Sequence, residues 1–263
     1  MKRTLLLAAA AMIIWAGQAL AGMEWKSKIT STVKGKEKVT LINGYAQGGN
    51  VREDFIEVPK DQGDLSKKGM YWIYLGQSGK VQIVDPKKKT YLEMSLDSVL
   101  ALAGALSQVM QMTVSNAQVK VNSLAAEKVL DYDCKHLSVE SAYDMEIKML
   151  FIKSKSHIDE TREMWGTSAL PLTEMAASYR FKSFKLGIKE LDAMLKSQAA
   201  AYQSLGFVLK SAVTQNTTDE KGKVQTTVTK MDVTEMTVKD VSADLFNVPE
   251  GYTKEEMAKI PGR

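Results

Sequence analysis

Residues 69–94 read GMYWIYLGQSGKVQIVDPKKKTYLEM. Gly69–Leu75 is aromatic and apolar at successive positions, the pattern of a strand covered on both faces. Gly76-Gln77-Ser78-Gly79 turns the chain into Lys80–Val84, and Asp85-Pro86-Lys87-Lys88 turns it again into Thr90–Met94. Strands joined by such short connections pair antiparallel, so this stretch predicts a meander sheet. Lys87–Lys89 suggests an anion patch and reads better as a solvated turn.

The flanks extend the pattern. Glu24–Val33 alternates weakly. In the next run Val39, Leu41, Asn43 and Tyr45 share one face, and Thr40, Ile42 and Gly44 share the other. Gln47-Gly48-Gly49-Asn50 is a tight-turn cluster, after which Val51–Val58 completes a hairpin. Toward the C-terminus, Gln118–Val121, Ala126–Leu130 and Lys135–Val139 read as strands. Tyr143, Met145, Ile147, Met149 and Phe151 alternate with Asp144, Glu146 and Lys148, the mark of a strand with one buried and one wet face. Ile158–Trp165 reads as a short helix or irregular segment, interrupted at Leu170-Pro171-Leu172, and residues 173–182 are ambiguous. Leu209–Thr218 and Lys223–Val238 flank Asp219-Glu220-Lys221-Gly222 as a long hairpin. Asp244–Tyr252 closes the fold, and Lys254–Arg263 reads as a loose tail.

Two helices interrupt the strands. Ser95 is a suitable N-cap for a helix over Leu96–Met112, whose only charge is Asp97 and whose circumference is apolar nearly all round. Ile188–Leu205 is amphipathic. The fold class is therefore mainly β (α+β): a strongly curved antiparallel sheet or half-barrel, with two helices covering its concave face. A single sheet of this size must curl, and its apolar face needs cover.

Lys2 and Arg3, the apolar run Leu5–Trp15 and Ala19-Leu20-Ala21 follow the order of an export signal, with cleavage after Ala21. The apolar run is shorter than the ~20 residues of a membrane span. Residues 1–21 are expected to leave, and residues 22–263 to form one periplasmic domain with no integral membrane segment. Gly22, not a cysteine, follows the cut, which excludes a lipid anchor there. Loss of Lys2 and Arg3 removes half of the formal charge of +4, so net charge gives no argument for a nucleic-acid partner or an anionic membrane. The 44% hydrophobic and 25% charged composition is that of a folded chain, and a single cysteine excludes a disulfide framework.

Few residues offer catalytic chemistry. The histidines are His136 and His157, and no GxSxG, HExxH or glycine-rich phosphate loop is present. Ser156-His157-Ile158-Asp159 places a triad's residue types side by side, where they rarely converge. Cys134 and His136 on one strand are too few for a closed zinc site, and Cys134 reads as a buried structural residue. No enzyme activity, cofactor or metal is expected.

Segments TLINGYAQGGNVREDF, GMYWIYLGQSGKVQIVDPKKKTYLEM and KDVSADLFNVPEGYTK resemble the outer-membrane lipoprotein carrier and localisation-factor superfamily. Asn50-Val51-Arg52, Val81–Asp85, Tyr91 and Phe246–Tyr252 stand at its marker places. The chain is most similar to a periplasmic family of undefined function with that fold, whose middle reads Gly-Tyr-x-Cys-x-x-Tyr. Here Asp131 and His136 replace the Gly and the second Tyr, and Glu163-Met164-Trp165 matches a later segment. The resemblance implies an incomplete, curved antiparallel barrel plugged by helices, with an apolar cavity for acyl chains.

The expected function is therefore an exported carrier or binding protein for a lipid, a lipoprotein acyl chain or another apolar ligand. The alternative is an envelope-sensing or interaction module with a protein partner. Cavity candidates are Tyr45, Tyr71 and Ile73 on the sheet, Leu96, Val99, Leu100, Ala103, Leu106 and Met110 on the first helix, and Met145, Ile147 and Met149 on the alternating strand. Arg52 is the candidate for a lid or headgroup contact. The methionines suit a cavity that adapts to flexible chains, and equally serve as core filler.

Overall fold

The computed structural model describes residues 22–61, 63–95, 98, 111–149, 152–170 and 187–256. Its strands are β1 (Met23–Val33), β2 (Lys36–Gln47), β3 (Asn50–Glu57), β4 (Tyr71–Leu75), β5 (Lys80–Asp85), β6 (Thr90–Ser95), β7 (Thr113–Val129), β8 (Tyr132–Met149), β9 (Ile152–Thr167), β10 (Phe207–Asp219), β11 (Val224–Val238) and β12 (Thr253–Glu255). One α-helix, α1 (Lys189–Leu205), precedes β10, and a 3-10 helix spans Ala243–Phe246.

All twelve strands lie in one curved, open sheet of order β12-β6-β5-β4-β3-β2-β1-β11-β10-β9-β8-β7. Neighbours are antiparallel except β12 with β6. The meander of β1–β6 fans out to one side of β1, and β11 pairs with the other side of β1 to carry β10–β7. The β2–β3 connection is the expected two-residue turn: Gly48 and Gly49 have φ of 56° and 88°, the left-handed geometry that matches the twist of a hairpin.

The register assigns side chains to faces. On the helical face, Ile42 pairs with Phe55, Val51 with Tyr74, Tyr74 with Val81, and Ile83 with Leu92. The same face continues through Ile29 and Met231 to Met164 and Leu137. There α1 lays Tyr202 and Leu205 against Leu137, Val139 and Met164. Gly166 permits this approach, since a Cβ there would stand 2.6 Å from the Leu205 carbonyl oxygen. Within α1's contact, Gln198 Nε2 donates to Ser141 Oγ at 2.9 Å, and the Tyr202 hydroxyl donates to Gln198 Oε1 at 3.0 Å, so the buried polar atoms are paired.

Three expectations are corrected. The sheet is not covered by two helices: among the described residues one α-helix lies on it, over β7–β9. The opposite face of β3–β5 is covered by the C-terminal segment, where Val241 and Phe246 pack on Tyr71, Ile73 and Val84. Of the expected helix Leu96–Met112, only Ser98, Gln111 and Met112 are described; Ser95 Oγ does accept from the Ser98 backbone N–H at 3.0 Å, the bond of an N-cap. The segments expected at 118–121 and 126–130 belong to one strand, β7, where a bulge between Leu124 and Glu127 stands in place of a turn. Ile158–Trp165 is β9 and not a helix, because ladders to β8 and β10 satisfy its backbone on both sides and override a polar pattern. Residues 1–21, expected to be an export signal, and residues 173–182 lie outside the described residues.

Candidate functional site

The helical face carries most of the sheet's apolar side chains. Ile42, Phe55, Tyr74, Val81 and Ile83 are buried there with Met70. Around them Ile29, Trp72, Leu92 and Met94 are only half-buried, as are Met231, Met145 and Ile147 further along the same face. The burial of β2 shows which parity matters: Thr40, Ile42, Gly44 and Ala46 are buried, while Leu41, Asn43 and Tyr45 on the other face are not. The outcome is a strip of adaptable apolar groups, with methionines from three separate strands, bordered by the packed clusters under α1 and around Ile83.

The candidate residues divide between the two faces. Met145 and Ile147 lie on the helical face. Tyr45, Tyr71 and Ile73 lie on the opposite one, packed with Val84, Val241 and Phe246. Leu96, Val99, Leu100, Ala103, Leu106 and Met110 lie outside the described residues, and Met149 ends β8. Ile29, Trp72, Leu92, Met94 and Met231 were missed. Their signal was the period-two pattern, which labels two faces in each strand but does not say which one a long sheet buries.

Arg52 is engaged within the chain. Its Nε donates to Asp54 Oδ1 at 2.6 Å, Nη2 donates to Asp54 Oδ2 at 3.2 Å, and Nη1 donates to the Leu245 carbonyl at 3.1 Å. The guanidinium stands 3.7 Å from the Tyr71 ring centroid. A planar fork suits this bidentate, stacked arrangement. Asn50 Oδ1 accepts from the Gly76 N–H at 3.2 Å, tying two turns together. The marker residues Asn50, Arg52, Tyr91 and Phe246 thus serve to dock the C-terminal segment and neighbouring turns onto the sheet.

Two polar constellations stand elsewhere. A cavity of about 300 Å3 opens beside His157, lined in part by Thr113, Ser115, Asp144, Glu146, Lys155 and Asp219. His157 Nδ1 lies 2.6 Å from Asp144 Oδ1, and Nε2 lies 3.3 Å from Asp159 Oδ1. The hydrogen bond to Asp144 is the main cause of a raised His157 pKa. With both ring nitrogens turned to carboxylates, His157 has no free nitrogen with which to deprotonate Ser156. At the other end, His136 stacks on Trp165 with ring centroids 4.1 Å apart, and Lys210 Nζ lies 4.2 Å from the Trp165 ring centroid. Trp165 Nε1 donates to Glu127 Oε2 at 3.0 Å. Cys134 is buried, its thiol pushed up in pKa by desolvation, and its Sγ donates to the Tyr132 carbonyl at 3.5 Å. Among the described residues no group of three or more His, Cys, Asp or Glu is arranged to hold a metal ion. Among them, too, no helix is long and apolar enough to cross a membrane.

No curated protein matches this chain. Solved structures give distant likenesses. A structure of PNGF-II shares 12% identity at a TM-score of 0.38, covering 89% of this chain, which spans only 32% of that one. A putative outer membrane lipoprotein-sorting protein domain from Vibrio parahaemolyticus shares 10% identity at a TM-score of 0.24, covering 86% of this chain and 89% of its own. A DUF1329 family protein from Desulfovibrio piger has the same identity and coverage at a TM-score of 0.25. The fold rests on the sheet's own register. A family model matches residues 28–252, nearly the whole described sheet. The chain belongs to the family described as domain of unknown function DUF4412.

Proposed function

We propose that this chain is an exported binding or carrier protein for an apolar ligand of acyl type, a lipid or a lipoprotein anchor, seated on the helical face of the sheet. One observation carries the reading: Ile29, Trp72, Leu92, Met94, Met145, Ile147 and Met231 share that face and are only half-buried, whereas the face bearing Tyr71 and Ile73 is closed by the chain's own C-terminal segment. Burial of an acyl chain contributes ~0.8 kcal/mol per CH2, so a strip of this kind favours long chains. The export signal read in residues 1–21 fits a periplasmic carrier. A catalytic role draws no support from His157, whose ring nitrogens are both occupied.

The reading is tested on the full chain purified from the envelope. Native mass spectrometry is expected to find acyl species bound, and stripped protein is expected to take up a fluorescent fatty acid. Stripped protein that binds none overturns it. A second reading, a protein-interaction module, draws on β7, an edge strand of 17 residues that exposes Val121 (39%) and Leu124 (42%). Acyl-free protein that pairs through β7 with an envelope protein would favour that alternative.

A further inference from the structure

The topology gathers lysine-bearing hairpin turns on one rim of the sheet. β1 ends at Val33, β5 at Asp85 and β10 at Asp219, and antiparallel pairing sets all three ends on the same side. Lys34 and Lys36 flank the β1–β2 turn, Lys87–Lys89 make the β5–β6 turn, and Lys221 and Lys223 flank Gly222 in the β10–β11 turn. All are exposed, and none enters an ion pair among the described residues. On the opposite rim, the turns Gln47–Asn50 and Gly76–Gly79 carry no charge and the β7–β8 turn carries Asp131.

Acids stand on the lysine rim as well. Asp85 Oδ1 accepts from the backbone N–H groups of Lys87 and Lys88, and Asp219 Oδ1 accepts from those of Lys221 and Lys223. Asp61 and Asp64 are held by Lys38 and Lys67. Glu37, Glu57 and Glu220 stay exposed without such bonds. A recess of about 510 Å3 opens between two of the turns, lined by Lys34, Lys223, Thr32, Gln225 and Thr226 among others. Val224, next to Lys223, is 56% exposed, and Ile56 in β3 (43%) and Leu65 after it (47%) are exposed as well.

We propose that this rim docks the protein on an anionic bilayer surface. Unpaired lysines on separate turns act as mobile point charges, which suits a diffuse layer of acidic headgroups better than a single bidentate ligand. The exposed Val224 reaches from the same turn to the headgroup–acyl boundary. Net charge conceals this, because it sums over the whole chain and not over one rim. The docking is independent of whether the helical face holds an acyl chain, so the two readings fail separately.

The test is co-sedimentation of the full chain with vesicles of phosphatidylcholine alone or mixed with phosphatidylglycerol. The protein is expected to bind only the mixed vesicles and to detach as salt is raised. Lys34→Gln, Lys36→Gln, Lys221→Gln and Lys223→Gln are expected to weaken binding about fivefold for each lysine removed. Lys128→Gln with Lys196→Gln, away from this rim, is expected to change nothing, and circular dichroism checks that each variant folds. Equal binding to both vesicle types, no binding to either, or a folded rim variant that binds like the parent overturns the proposal. Uptake of a fluorescent fatty acid in solution, measured on the same variants, stays at the parent level if only docking has been removed.

Discussion

Gly44 of β2 stands directly opposite Trp25 of β1, and the indole fills the space a side chain at Gly44 would need. A Cβ there would lie 1.9 Å from the ring. Trp25 in turn meets Phe207 edge-on, with centroids 5.4 Å apart, in the cluster that joins β1 to β10 and buries Cys134. Gly44→Ala is expected to destabilise the protein by about 1–3 kcal/mol through overpacking. Urea unfolding followed by tryptophan fluorescence measures it, and an unchanged midpoint would show that Trp25 can move aside freely.

Arg52 holds the C-terminal segment through Leu245 and is itself held by Asp54. Arg52→Ala removes charge-assisted hydrogen bonds and leaves Asp54 partly buried without its partner, for an expected loss of about 1.5–3 kcal/mol. Loosening should concentrate at 241–252, so hydrogen exchange there should rise well before exchange in β8 and β9. Uniform change across the sheet would argue against a local clamp.

Glu93 accepts hydrogen bonds from Lys254 at 2.9 Å, Gln82 at 2.9 Å and Lys80 at 3.1 Å, which hold its pKa down to about 2 from 4.5. A depressed carboxylate contributes stability above its unfolded pKa and loses it as pH falls through the folded value. The melting difference between wild type and Glu93→Gln should therefore be full at neutral pH and shrink as pH falls from about 4.5 toward 2. A difference independent of pH would assign the effect to packing.

His157 and Asp144 titrate in opposite directions. The His157 pKa is raised above 6.5, so its contribution is present below 6.5 and lost as pH rises through the folded value. The Asp144 pKa is lowered below 3.8 by the bonds from His157 and Asn116, so its contribution is lost as pH falls below that. In NMR titrations Asp144→Asn is expected to lower the His157 pKa. The pair is exposed, so the stability effect is small.

Met231→Glu places a carboxylate in the half-buried strip of the helical face, and is expected to weaken fatty-acid uptake about tenfold or more. Leu41→Gln, on the opposite face, should leave uptake unchanged. The reverse result would move the ligand to the face bearing Tyr45.

The meander at 69–94 was legible because each turn there carries its own local chemistry: glycines free to take positive φ, and Asp85 capping a lysine turn. The β2–β3 and β10–β11 hairpins were legible for the same reason, and the amphipathic period gave α1. β9 was not, since its charged sequence becomes a strand only when β8 and β10 supply ladders on both sides. Nor could alternation choose between the two faces of β2. The sequence alone determined a β-rich chain of short-looped antiparallel strands, because turns and side-chain period are local properties. Only the tertiary structure decided that β1 meets β11, that the C-terminal segment closes the face of Tyr71 and Ile73, and that lysines from three distant turns meet on one rim. Those outcomes depend on pairing between residues far apart in the chain, which no local pattern encodes.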